Sequence, residues 1–304
     1  MRHDEREHVS LPSAREDAAR AADAAETAQT RSPSFRLAFT DTEFLLREEL
    51  RPVRLQLELL KPEMGLQEHN IESTIVVYGS ARNIEPEQAG ELLAVAEAQA
   101  AENPDDPKLK DALTTARRIV RHAGYYEQAR RFGQIVSEAG QKSEKRRCVI
   151  VTGGGPGIME AANRGAHDVG ALSIGHNITL PHEQAPNPYI TPELCFQFHY
   201  FAIRKMHLTM RALALVVFPG GYGTMDELFE CLCLIQTGKA RPMPVLLFDR
   251  AYWTRIVNFE ALVDEGVIAA ADLDLITFVD SAEDAWNAIR THYAYTDLLP
   301  ADGC

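Results

Sequence analysis

Residues 213–218 read Leu-Ala-Leu-Val-Val-Phe and run without a break into Pro219-Gly220-Gly221-Tyr222-Gly223-Thr224-Met225-Asp226-Glu227. A short β-branched run, clustered glycines and then a polar residue that can open a helix give the order strand, loop, helix, which sets backbone N–H groups around an anion. Thr224 followed three residues later by Glu227 also fits a capping box, so part of the motif could merely start a helix, a role that does not exclude the other. The order recurs. Residues 148–152 lead into Gly153-Gly154-Gly155-Pro156-Gly157-Ile158-Met159-Glu160, and residues 74–78 end in Gly79-Ser80-Ala81-Arg82. Strands separated by helices and ending in small-residue turns call for an α/β fold, a doubly wound parallel sheet whose turns share its carboxyl edge.

The remaining strands are expected at 171–178, 194–200, 244–248 and 275–279, and the helices at 125–138, 158–169, 201–212, from the glycine motif to about 238, 252–264 and 282–293. Residues 1–34 are rich in Arg, Glu, Asp and Ala with few large apolar side chains, so a disordered tail is expected there. Residues 35–71 carry Phe44, Leu45, Leu46, Leu50, Val53, Leu55 and Leu57 at helical spacing, with Pro52 marking a break or a new start. They read as a helical extension to a domain spanning 72–294. Inside that domain, residues 86–122 are polar and Ala-rich, broken by Asn103-Pro104-Asp105-Asp106-Pro107, and read as a helical insertion of two helices joined by a proline turn. Residues 295–304 form a tail.

The formal charge of −13 opposes a nucleic-acid surface, which needs a basic face to displace counterions from phosphates. A small anion remains accessible to local N–H groups and to Arg or Lys. Cys148, Cys195, Cys231, Cys233 and Cys304 show no chelating spacing, and the first residues are charged rather than apolar, which points to a reduced cytoplasm. Cys231 and Cys233, two apart on a helix, face different ways. No stretch is apolar for long enough to span a bilayer. His176, His182, His199 and His207 have no metal-ligand spacing on a common helix face, so no metal is expected. Neither glycine turn completes a dinucleotide fingerprint, because Ile158 occupies the third glycine position of the first, and neither carries a Walker lysine.

The 153–160 turn, the Arg204-Lys205 pair and the 219–227 motif together resemble the LOG (LONELY GUY) family, often mislabelled as lysine decarboxylases. The resemblance covers residues 74–289 in order, and the Pro-Gly-Gly-x-Gly-Thr-x-x-Glu element is highly specific. It implies a Rossmann-like homodimer, or higher homo-oligomer, that hydrolyses the N-glycosidic bond of nucleoside 5′-monophosphates, AMP-like or cytokinin riboside monophosphates among them. The products implied are a free base and ribose 5-phosphate, with no cofactor. It also implies that Arg204 and Glu227 are the catalytic residues. The extension before residue 72 and the insertion between Arg82 and Tyr125 depart from the family pattern.

Cleaving a ribosyl bond passes through an oxocarbenium-like state, so a carboxylate is needed near the sugar to stabilise charge or activate water. Asp226 and Glu227 both offer one, and about 100° of helical rotation between neighbours lets only one face a ligand at the helix start. The resemblance selects Glu227 and leaves Asp226 to the helix dipole or to supporting the residues that touch the ligand. Arg204 could clamp a phosphate, or orient Glu227 and assist departure of the base; on sequence alone the favoured reading is a solvated helix charge. Lys205 reads as a structural or phosphate-steering charge. Gly220, Gly221, Tyr222, Gly223 and Thr224 supply the phosphate cradle, and Gly79, Ser80, Gly153, Gly154 and Gly155 complete the nucleotide pocket. Recognition of the base falls to loops such as 182–190.

Two other functions compete. Carrier proteins for the molybdenum cofactor share the glycine-turn architecture and grip a phosphorylated pterin without hydrolysing it. Such a carrier has no use for a carboxylate beside the phosphate. Lysine decarboxylation needs a lysine that binds pyridoxal phosphate, and no sequence context singles one out.

Overall fold

The computed structural model describes residues 11–180, 185–294, 296, 298 and 299. It divides into two compact units, Met1–Glu58 and Leu59–Cys304. Helix α1 (Ala14–Ala22) falls in the first, within the stretch whose composition suggests disorder, and a local device makes it: the Ser13 hydroxyl caps the Glu16 N–H while the Glu16 carboxylate returns to the Ser13 N–H at 2.7 Å. It buries no residue. A single turn, α2 (Thr42–Leu45), is capped by Asp41. The long α3 (Arg51–Glu68) crosses the division, with Pro52 in its first turn, where a missing N–H costs nothing.

The second unit runs β1 (Thr74–Tyr78), α4 (Pro86–Glu102), α5 (Pro107–Gly140), β2 (Val149–Thr152), α6 (Ile158–Asp168), β3 (Ser173–Ile178), β4 (Cys195–Phe198), α7 (Phe201–Met210), β5 (Ala212–Val217), α8 (Tyr222–Gln236), β6 (Val245–Phe248), α9 (Arg250–Ile256), α10 (Phe259–Asp264), β7 (Ile276–Val279) and α11 (Ala282–His292). The seven strands form one parallel sheet in the order β4-β3-β2-β1-β5-β6-β7. This is a Rossmann-like doubly wound α/β fold. The helix expected at 201–212 stops at Met210, and Ala212 already belongs to β5. Two further helices differ in number from expectation. With no proline after 107 to stop it, α5 fuses the second insertion helix with the helix expected at 125–138. The helix expected at 252–264 is instead two, because the Asn258 side chain accepts the Ala261 N–H at 3.1 Å and starts α10 afresh.

The sheet is buried on both sides, so its strands read as continuous apolar runs. On one face Ile75, Val77, Ile150, Val216 and Leu246 meet Phe132 of α5, Ile158 of α6 and Ala285 of α11. On the other, Val76, Val151, Leu215, Val217 and Val245 meet Leu66 of α3, Leu208 of α7, Leu228 of α8 and Trp253 of α9. From β1 the chain works outward to β4, then crosses to β5 on the other side of β1. That reversal opens a crevice beyond the carboxyl ends of β1 and β5, where the turns after both strands lie. Among the described residues no helix is long and apolar enough to cross a membrane.

Candidate functional site

Backbone bonds sew the three glycine-bearing turns together at this edge. The Phe218 N–H donates to Tyr78 O at 2.8 Å, the Ser80 N–H to Pro219 O at 3.1 Å, and the Ile158 N–H to Ser80 O at 3.2 Å. Gly79 is required by closeness: a Cβ there would sit 2.7 Å from the Ile158 side chain. Ser80 is half-buried, and its hydroxyl accepts the Arg82 N–H within its own turn, while Arg82 is exposed.

Helix α8 opens at Tyr222 with Gly221 as its N-cap and no side-chain cap bond. The capping box suggested by Thr224 and Glu227 is therefore not formed. Thr224 lies inside the first turn, buried, and its side chain fills the space that a Cβ on Gly220 would need. Gly221 and Gly223 adjoin open space, and Tyr222 is 97% exposed. The start of α8 thus presents its first N–H groups on an uncrowded side. One turn further in, Glu227 is buried at 8% exposure.

Arg204 reaches Glu227 from α7. Its Nη1 lies 3.4 Å from Glu227 Oε1, and its Nε donates to the His176 carbonyl at 2.7 Å. A side chain on Gly153 would collide with this guanidinium, which ties the second glycine turn to the pair. Gly154 (φ 77°) is in the left-handed region and packs on Asn177. The turn is otherwise satisfied from within the protein. Thr152 Oγ1 accepts the Gly154 N–H and donates to Asn163 Oδ1, and Asn187 donates to Gly155 O and to Asn163. Asn163 and Asn187 escaped the sequence reading. A polar residue on the otherwise small apolar face of α6 was the available signal for the first; the second contacts its turn only through the fold.

Residues 159–289 match a family model described as a possible lysine decarboxylase. A probable cytokinin riboside 5′-monophosphate phosphoribohydrolase LOG4 of Oryza sativa subsp. japonica is 29% identical over 155 residues, 50% of this chain and 66% of the relative. The cytokinin riboside 5′-monophosphate phosphoribohydrolase LOG7 of Arabidopsis thaliana is 30% identical over 158 residues, 50% of this chain and 71% of the relative. The chain belongs to the LOG family. It spans about two thirds of the length of these relatives. Among solved structures, the molybdenum cofactor binding protein of Rippkaea orientalis overlaps 55% of this chain and 87% of its own, at 19% identity and a TM-score of 0.39. The LOG-family model takes in Arg204, Lys205 and the 219–227 motif, whereas Gly79, Ser80 and the 153–155 turn lie before its start.

In this LOG-family site the burial of Glu227 raises its carboxyl to about 6, against the opposing charges of Arg204 and Lys205. Burial, then the Glu227 charge, also holds the Tyr78 phenol at the end of β1 well above its ordinary value. Lys205 is held by the carboxylates of α8: its ammonium lies 2.7 Å from Asp226 and 2.8 Å from Glu230. Burial works to lower it, and these two bonds raise it on balance. An ammonium so held is poorly suited to a Schiff base with pyridoxal phosphate, so the residues here do not fit the chemistry in the family model's description. Asp226 and Glu227 diverge, one to Lys205 and the other to Arg204.

His176 and His207 are core residues, and His199 is exposed. Burial, then the nearby His207 and Arg204, keep the His176 ring neutral. His182, in the loop expected to read the base, lies outside the described residues, as does Cys304. No group of three or more His, Cys, Asp or Glu among the described residues could hold a metal ion.

Proposed function

We propose that this chain hydrolyses the N-glycosidic bond of nucleoside 5′-monophosphates, releasing the free base and ribose 5-phosphate. The observation that carries this reading is the buried Arg204–Glu227 pair, set one helical turn beyond the uncapped start of α8. The names of the LOG-family relatives support it. The 5′-phosphate accepts hydrogen bonds from the backbone of residues 221–224, where the helix dipole also favours an anion. Glu227, three residues on and so about 4.5 Å further along the helix, faces the ribose.

As the bond from C1′ to the base nitrogen breaks, its electron pair leaves with the base and positive charge develops on the ring. The Glu227 carboxylate stabilises that charge and then takes a proton from the water that adds to C1′; a proton ends on the departing base, so the sum is one water consumed. Arg204 orients the carboxylate and assists the departure. Lys205, held by Asp226 and Glu230, keeps α7 and α8 in register rather than touching the phosphate. The homodimer belongs to the same proposal, supported by Phe201, Met206 and Met210 of α7, each about half exposed.

The test is incubation of the purified chain with AMP, GMP, CMP, UMP and a cytokinin riboside 5′-monophosphate, with free base measured by chromatography. Release is expected from at least one, and far more slowly from the matching nucleoside without phosphate. No release from any of them overturns the reading and favours a non-catalytic nucleotide or cofactor carrier.

A further inference from the structure

Two successive carbonyls of the 219–221 turn are held from other elements. Pro219 O accepts the Ser80 N–H at 3.1 Å, and Gly220 O accepts the Tyr252 hydroxyl at 2.7 Å. A trans peptide is planar, so a carbonyl fixed in direction fixes the next N–H pointing the opposite way. Tyr252 thereby aims the Gly221 N–H, the first donor of the cradle. Among the described residues α8 has no side-chain cap that could do this instead, and Thr224 only packs on Gly220.

Tyr252 is aimed in turn. It stands in the first turn of α9, whose N-cap is Asp249 at φ 69° and ψ 89°. An L residue seldom adopts this backbone, aspartate and asparagine tolerate it best, and it persists only where the surroundings over-determine it. Here they do. The Asp249 N–H donates to Val279 O at 3.0 Å, its Oδ1 accepts the Tyr252 N–H at 3.1 Å, and its Oδ2 accepts the Tyr125 hydroxyl. Tyr125 belongs to α5, the helix that also carries the second half of the insertion. An unbroken chain of contacts therefore leads from α5 through a strained aspartate to the peptide at the mouth of the cradle.

We propose that Tyr252 is a positioning residue for recognition of the phosphate, and that Tyr125 and Asp249 are the relay that aims it. The proposal rests on the reading above only for the identity of the anion, a 5′-phosphate. Tyr252 does not touch the sugar or base; it acts through the Gly220–Gly221 peptide. The relay gives α5 a role in the site that its distance in sequence conceals.

Tyr252→Phe keeps the ring and deletes only the hydroxyl. With the full chain, the dissociation constants of inorganic phosphate and ribose 5-phosphate, and KM for the best nucleotide, should each rise roughly three- to tenfold, the scale of one lost hydrogen bond. The saturated kcat should stay within about twofold, because Glu227 and Arg204 are untouched. Tyr125→Phe should weaken phosphate binding in the same direction but less, and the double variant should bind no more weakly than Tyr252→Phe alone, since both changes act through one hydroxyl. Unchanged phosphate affinity in Tyr252→Phe overturns the positioning role, and losses that simply add in the double variant overturn the relay. If the wild-type chain binds phosphate but frees no base, the hydrolase reading falls while the affinity comparison still decides this one. If it binds neither phosphate nor ribose 5-phosphate, both fall.

Discussion

The turns after β2 and β5 look alike as strings of glycines and differ in what they are built to meet. After β2, Gly153 makes room for Arg204, Gly154 packs on Asn177, and the backbone polar groups of the turn are answered by Thr152 and Asn187. After β5, Gly221 and Gly223 adjoin open space, Tyr222 is almost fully exposed, and no side chain caps the helix. One turn closes on the protein and the other opens to solvent, where the proposed function puts the phosphate. A glycine cluster can therefore serve as scaffold or as receptor, and the neighbours a Cβ would meet distinguish the two.

The comparison breaks most sharply at Glu227, the group behind the open turn. Glu227→Gln keeps size and most packing while removing the charge that the proposed mechanism sets against the ribose. Base release at saturating nucleotide should fall by about 10²–10⁴-fold with the unfolding temperature little changed, checked by single-turnover assays and thermal denaturation. Full activity in this variant would move the chemistry to another residue. The pH profile of the wild type is the companion measurement. In the proposed mechanism Glu227 acts as the carboxylate, and burial raises it to about 6, so kcat/KM should be level above about pH 7 and drop close to tenfold per unit well below 6. An inflection near the ordinary glutamate value would mean that the carboxylate is not buried in the working enzyme.

Much of this was open to inspection in the sequence. The bounds of β1, the carboxyl-edge turns and the alternation of strand and helix follow from short apolar runs and from glycines that end them. Arg204 and Glu227 came through family resemblance, since 23 residues separate them and no spacing rule joins α7 to α8. What stayed hidden acts across the fold. Tyr252 and Gly220 are 32 residues apart, and Tyr125 and Asp249 are 124 apart, so neither pair leaves a local pattern. The capping box was misleading for a local reason: Thr224 and Glu227 have the right spacing, but the helix begins two residues before Thr224, and the threonine packs on Gly220 instead. Lys205 illustrates the converse, a charge next to Arg204 in sequence whose partners are the carboxylates of the next helix.

Matched alanine substitutions in the two turns sharpen the contrast at smaller cost. Gly154→Ala forces an L side chain to a φ of 77° and into Asn177, so stability to denaturant should drop by about 2 kcal/mol or more. Gly223→Ala should do the reverse. That residue is exposed inside the first turn of α8, its added methyl would meet nothing within 4 Å, and alanine is the better helix former. A gain of about 0.5 kcal/mol is expected, measured by the same denaturant titration. If the open side of α8 receives the nucleotide phosphate, the same methyl obstructs close approach of the anion to the backbone, so KM should rise while the protein becomes more stable. Stability and binding moving in opposite directions at one glycine is a signature that a purely structural turn cannot produce, and a Gly223→Ala variant with both gained stability and unchanged KM would place the phosphate elsewhere.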